Sequence, residues 1–219
     1  DQFSGYNRTR TGHAACWAHM RREFVKALYA NPKASEKEIL RDPANRKGIA
    51  WQAIEKIAAI SAIETELKEL PPEERQAERL AKEKPLVEDF FAWLDTARTK
   101  LAPKFQTAKA ANYALNAKER LCRYLEDGRV PMTNNAAESA IRPFTIGRKN
   151  WLFSDSPKGA KASAAIYSLI ETSKANGLDP EKYLRYVLSE MPGKHFKDNP
   201  EMLEGWMPWS KGAQDNCKA

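Results

Sequence analysis

No run of about 18 consecutive apolar residues occurs in the chain, so by length alone no segment reads as a membrane-spanning helix. Glycine is scarce, with 10 in 219 residues. None of them forms a Walker-type or dinucleotide-type phosphate loop, and there is no Gly-x-Ser-x-Gly elbow and no His-Glu-x-x-His pair. Those absences argue against nucleotide-driven, acyl-transfer and zinc-protease chemistry. Cysteine is nearly missing too: Cys16, Cys122 and Cys217 are odd in number and far apart. A disulfide framework is therefore not expected, and a reducing cytosol is the natural setting. Asp1-Gln2-Phe3-Ser4-Gly5 has neither the basic nor the apolar region of a secretory leader, so none is expected. What the chain does contain is 42% hydrophobic and 10% aromatic residues, enough for a core and too many for wholesale disorder.

The net charge of +7 is unevenly placed. Arg8, Arg10, Arg21, Arg22 and Lys26 stand against Glu23 alone, so five minus one gives +4. Arg142, Arg148, Lys149, Lys158 and Lys161 stand against Asp155 alone, again +4. Between them, Glu64 to Asp95 carries ten acids and five bases, or −5. Two basic blocks flank an acidic middle. The pattern suits two ends that meet a polyanion and a middle that does not, or merely the solvated faces of ordinary helices.

Periodicity makes most of the chain helical. Met20, Phe24 and Leu28 fall on one helical face. Ile54, Ile57, Ile63, Leu67 and Leu70 mark another helix, stopped by Pro71-Pro72. Glu73 to Lys84 reads as a solvated charged helix, and Leu86, Phe90, Leu94, Ala97 and Leu101 as an amphipathic one. A helix is expected from about Gln106 to Glu126, closed by Asp127-Gly128. A short helix is expected from Asn134-Asn135 to Arg142, ended by Pro143. The next helix, over about 160–176, has an expected inner face of Ala162, Ala165, Ile166, Leu169 and Ile170. Gly177 is its stop, and Asp179-Pro180 caps and starts the following helix. The alternation from His13 to His19 predicts a short strand, and Arg148 to Phe153 a strand or loop. Beyond Pro192 the composition predicts a loose tail.

Few residues carry chemistry on local grounds. Glu138 fits two descriptions. With Asn135 as N-cap it would close a capping box, and it pairs with Arg142 one turn on. Alternatively it is a carboxylate at a helix start, suited to a hard cation such as Mg²⁺ given partners elsewhere. Asp1 by itself reads as a frayed end. Cys16-Trp17-Ala18-His19 is too few ligands for zinc, and a buried Cys with a bonded His is its simplest reading. Arg148-Lys149-Asn150-Trp151 combines phosphate-reaching cations, a base-bonding amide and a stacking ring, although Trp151 fits a core equally well.

Three stretches together resemble the insertion sequence 66 family of bacterial transposases. They are Asp1-x-x-x-Gly5-Tyr6-Asn7, then Cys16-Trp17-Ala18-His19-x-Arg21-Arg22-x-Phe24, and Asn134-Asn135-Ala136-Ala137-Glu138-x-Ala140-Ile141-Arg142-Pro143-Phe144 running into Gly147-Arg148-Lys149-Asn150-Trp151-Leu152-Phe153. Tyr167-Ser168-Leu169-Ile170-Glu171-Thr172 with Asn176-Gly177-x-Asp179-Pro180 is similar to that family's C-terminal segment.

The resemblance implies a predominantly α chain that forms the C-terminal part of a ribonuclease-H-like (α/β) core, with a large helical insertion and few strands. Residues 1–30 and 129–157 would belong to the core, 31–128 to the insertion and 158–219 to a C-terminal helical segment and tail. It also implies an Asp-Asp-Glu centre in which Asp1 is the second Asp and Glu138 the Glu. Both would be catalytic ligands of two Mg²⁺ ions in a two-metal phosphoryl transfer that cuts and joins DNA. Arg142, Arg148, Lys149, Asn150, Trp151, Arg21, Arg22, Lys158 and Lys161 would contact DNA, while Cys16, His19, Asn134 and Asn135 would support the site. The first Asp of that pattern lies upstream of the second, and this sequence starts at the second. The expectation is thus a fragment, inactive alone, working in the bacterial cytoplasm at the nucleoid, in a homo-oligomer on DNA, with no membrane or small-molecule partner. A non-catalytic helical DNA-binding or assembly module is the alternative.

Overall fold

The computed structural model describes residues 12–28, 35–151, 155–196 and 198–219, and only the backbone of 148–151. Among these residues the chain is helical, and the sole β-pairing is an isolated antiparallel bridge between Leu178 and Lys218. It divides into two compact units, residues 1–135 and 136–219.

The first unit is built from α1 (Trp17–Ala27), α2 (Glu36–Arg41), α3 (Gly48–Glu66), α4 (Pro72–Glu78), α5 (Lys84–Arg98), α6 (Gln106–Asn116) and α7 (Lys118–Cys122). The expected strand at His13–His19 is not formed. Trp17, Met20 and Phe24 recur at three and four residues, and all three are buried. That helical period overrides a short alternation that has no partner strand among the described residues. α1 lies against α3 and α6 in one core with Ile54, Ile57, Phe90, Leu94 and Ala111.

Trp17 sits at the centre of this core. Its ring meets Phe90 at 5.8 Å, Phe91 at 6.1 Å and Tyr124 at 6.1 Å between centroids. Its indole N–H donates to the Leu121 carbonyl at 2.9 Å, so the buried donor is satisfied.

The charged stretch after Pro71-Pro72 is not simply solvated. α4 runs through a single π turn (Arg79–Glu83) into α5, and Arg79 and Glu83 are fully buried. Stepping back by four from Val87, on the buried stripe of α5, lands on Glu83 and then Arg79. Arg75 also turns inward. It donates to the carbonyls of Leu67, Lys68 and Leu70 beyond the end of α3, and to Gly128. Those carbonyls have no acceptor role left inside α3, and a guanidinium is the natural partner for them. The expected long helix at 106–126 is broken into α6, α7 and a 3₁₀ turn (Arg123–Leu125).

In the second unit α8 (Asn135–Trp151) extends past both expected limits. Pro143 lies inside it, and the segment from Arg148 to Trp151 is helical rather than strand or loop. Pro143 removes the N–H that Ser139 would receive, but both residues are exposed, so water can take the carbonyl. α9 (Pro157–Ala175) starts at the Ser156 cap, whose hydroxyl accepts from the Gly159 N–H at 3.1 Å. Its expected inner face is only half realised. Ala162, Ala165 and Ile166 are exposed, and Leu169 and Ile170 are half-buried. Gly177 takes φ +72° as the stop, and Asp179 caps α10 (Pro180–Glu190) by accepting from the Lys182 N–H at 2.9 Å.

The predicted loose tail is ordered. A 3₁₀ stretch (Pro200–Trp206) and α11 (Lys211–Asn216) return to cover Tyr183 and Leu178 with Ala213 and Cys217. The Tyr183 hydroxyl donates to the Trp206 carbonyl at 2.9 Å. No described helix is long and apolar enough to cross a membrane.

Gly128 offers a direct test of the first unit. A Cβ there would stand 1.8 Å from the Pro72 carbonyl oxygen, which is backbone and cannot swing aside. Gly128→Ala is expected to cost about 1–3 kcal/mol, read from urea unfolding midpoints, and an unchanged midpoint would contradict this packing.

Candidate functional site

The two segments that sequence reading places beside the reaction centre meet in the first unit. Residues 12–16 run extended into α1. The Ala15 N–H donates to the Arg120 carbonyl at 2.8 Å, and the Trp17 N–H to the Met132 carbonyl at 3.2 Å. Cys16 is buried, and its Sγ accepts the Asn134 N–H at 3.5 Å. Cys16 and Asn134 are 118 residues apart, so this contact joins the start of α1 to the residue just before α8. His19 is half-buried one turn into α1. The Asn134 side-chain oxygen is buried with no donor among the described residues.

α8 begins directly after Asn134. Asn135 is its first helical residue, so Glu138 is the fourth, not the third as the Asn135-capped box requires. Glu138 is half-buried in the positively polarised first turn. Arg142 follows one turn on and is exposed. Lys158 and Lys161 are exposed in the opening turns of α9. α8 and α9 touch through an edge-on ring contact, Phe144 to Tyr167, at 5.1 Å. Ala140, Ile141 and Ala164 line a shallow apolar groove beside it.

Arg21 and Arg22 differ in what they offer. Arg21 is ion-paired to Glu36 at the start of α2, whereas Arg22 is exposed. Asp1 lies outside the described residues, as do the side chains of Arg148, Lys149, Asn150 and Trp151.

Among the described residues no group of three or more His, Cys, Asp or Glu could hold a metal ion. Glu138 is a single carboxylate of the right kind for a hard cation, and the described residues do not complete a centre around it.

One cluster escaped sequence reading. Arg79, Glu83 and Tyr124 are buried and join the half-buried Glu64 in a polar group, and the signal for Glu83 and Arg79 was available in the four-residue step back from Val87.

Comparison with known proteins places this geometry in context. The family described as Transposase IS66 family matches residues 1–162, and the IS66 C-terminal element matches residues 168–209. The chain is 34% identical to the uncharacterized protein y4hP of Sinorhizobium fredii over 197 residues, which is 90% of this chain and 34% of that protein. It is 31% identical to the uncharacterized protein y4qI of the same organism over 224 residues, 96% of this chain and 38% of that protein. The chain thus spans about a third of the length of the curated relatives it matches. No solved structure matches.

The thiols report on the Cys16 contact. Cys16, Cys122 and Cys217 are free, Cys16 and Cys217 are buried, and burial pushes the Cys122 and Cys217 thiols up. Native chain treated with an aromatic disulfide reagent is expected to react slowly at Cys122 and not at Cys16 or Cys217, with all three released by denaturant. Prompt labelling of native Cys16, located by peptide mass, would contradict its place against Asn134.

Proposed function

The chain belongs to the IS66 family of transposases, and from that premise we propose that it supplies the Glu of a three-carboxylate DNA-cutting and strand-joining centre, with part of its DNA-facing charge. The observation that carries this reading is the family match over residues 1–162, which takes in both Asp1 and the Glu138 helix. A ribonuclease-H-like ancestry of the segments at 1–30 and 129–157 belongs to the same proposal.

In this reading Asp1 and Glu138 are ligands of divalent magnesium, two of the three carboxylates required. Two such ions, held by these carboxylates and a third, would supply the activation of the attacking hydroxyl and the charge stabilisation that phosphoryl transfer needs. The chain's own residues do the rest. Glu138, on the first turn of α8, holds its carboxylate on a regular helix rather than on a loop. Arg142, Lys158 and Lys161, all exposed, hold phosphates, with Arg148, Lys149, Asn150, Trp151, Arg21 and Arg22 as further contacts. Cys16, His19, Asn134 and Asn135 fix where α8 starts. The 219-residue polypeptide alone, with two carboxylates of three, binds DNA without cutting it. It does so in the bacterial cytoplasm at the nucleoid, and as a homo-oligomer on DNA.

DNA binding by the polypeptide, followed by fluorescence anisotropy against salt, tests the proposal. Affinity is expected to fall steeply with salt, and Lys158→Ala with Lys161→Ala to flatten the log–log slope by about 2, at roughly 0.9 per lost phosphate contact. Glu138→Gln is expected to leave that slope unchanged. No binding at low salt would sink the DNA-contact assignment. Metal-dependent nicking by the polypeptide that disappears in Glu138→Gln would overturn its inactivity and strengthen Glu138 as a ligand.

A further inference from the structure

A buried ionic cluster in the first unit plays no part in the proposed DNA chemistry. Arg79 is fully buried. Its Nε and Nη2 fork onto the Glu64 carboxylate at 2.9 and 2.5 Å. Its Nη1 donates to the carbonyls of Tyr124 at 2.7 Å, Asp127 at 3.2 Å and Val130 at 3.0 Å. Glu83, four residues on across the π turn, is equally buried. Its Oε2 accepts from the Tyr124 hydroxyl at 2.7 Å. Its Oε1 is buried and receives no donor among the described residues, and the Glu64 carboxyl lies close enough to bear on its charge.

The charges do not balance. One guanidinium stands against two carboxylates, Glu83 fully buried and Glu64 half-buried, which would leave a net negative charge on a largely buried cluster. The donors do not balance either. Tyr124 serves one Glu83 oxygen and Arg79 serves Glu64, so the remaining Glu83 oxygen is left without a donor. One proton placed between the two carboxyls corrects both faults, because a protonated carboxyl is a donor.

We infer that Glu64 and Glu83 share a single proton, and that this proton makes the clamp on residues 124–130 dependent on pH. Every group facing Glu83 fits: Glu64 from α3, Arg79 from the π turn, and Tyr124 from the turn after α7. Burial pushes the Glu83 carboxyl up to about 7; the Glu64 charge adds to this, and the Tyr124 hydrogen bond and Arg79 oppose it. The segment held by Arg79 runs on through Met132 to Asn134, where α8 starts. Proton loss therefore loosens the stretch that precedes the Glu138 helix.

The sign follows from proton counting. An unfolded Glu83 ionises near 4.5 and the folded one near 7, so between these the folded chain holds more protons. Stability from the cluster is full below about 4.5 and is lost as pH rises through about 7.

The test is thermal unfolding of the 219-residue chain and of Glu83→Gln from about pH 5 to about pH 8. Glu83→Gln keeps a donor toward Glu64 and cannot ionise. Its Tm is expected to gain steadily on that of the unaltered chain as pH rises, and a constant difference would overturn the inference. Infrared spectroscopy of the unaltered chain covers the case in which the variant fails to fold. A protonated-carboxyl C=O band persisting at about pH 6 and vanishing above neutrality is expected, and its absence at about pH 6 would overturn the inference. Neither measurement involves DNA, so failure here leaves the strand-transfer proposal standing, and the reverse.

Discussion

The indole of Trp17 is the contact on which the first unit depends. It joins an early helix to a carbonyl more than a hundred residues later and lies among Phe90, Phe91 and Tyr124. A ring of that size fills the space where α1, α5 and the end of α7 converge, and no smaller apolar side chain reaches all three. Its neighbour Cys16 inherits a fixed position, and Cys16 in turn meets Asn134. A packed ring with one satisfied hydrogen bond therefore fixes the chain as far as Asn134. The local order runs outward from core packing: Trp17 fixes Cys16, and Cys16 meets Asn134.

Around that apolar centre, two arginines manage the backbone. Arg75 serves the carbonyls that α3 leaves open, and Arg79 serves three carbonyls between Tyr124 and Val130. Both sit in the segment with the strongest negative balance. The acidic block is thus more than a solvated face that keeps DNA away. Some of its charge is internal and structural, with Arg79 and Glu83 at zero exposure. Residues 79 and 83 stand four apart across the π turn and share one buried side with Val87.

Much of this was legible in the sequence, and the failures share a cause. Local signals succeeded where the decision is local. Gly177 stops α9 with a positive φ, Asp179-Pro180 starts α10, and Ile54, Ile57, Phe90, Leu94 and Ala97 face inward, although Leu86 of the same expected stripe is exposed. Local signals failed where a distant partner decides. His13 to His19 alternates over seven residues, yet Trp17 belongs to a helix because its cavity lies between α5 and α7. Pro143 reads as a stop, yet an exposed proline only gives up one hydrogen bond to water. The segment after Pro192 has the composition of a tail, yet the Asp179 N–H reaches the Cys217 carbonyl at 2.8 Å and pins it. Asp1 and Glu138 were assigned by resemblance, since neither carries a local signal stronger than a frayed end or a capping residue. Arg79 and Glu83 were missed because charge in a helix is read as solvated by default, and only the period of the neighbouring stripe says otherwise.

The structure also redistributes the charge that the sequence divides into blocks. In the first basic block Arg21 is answered by Glu36 and Lys26 by Glu23, so two of its five cations are already engaged within the protein. In the second block Arg142, Lys158 and Lys161 all stand exposed on α8 and α9. Exposed ion pairs are weak and can exchange partners, so Arg21 remains usable. It must nevertheless give up a carboxylate to gain a phosphate, and the net gain is smaller than for a cation that faces only water. Equal formal charges of +4 are therefore unequal as DNA contacts. The proposed interface leans on residues 142–161, the same stretch of sequence that opens from the Glu138 turn.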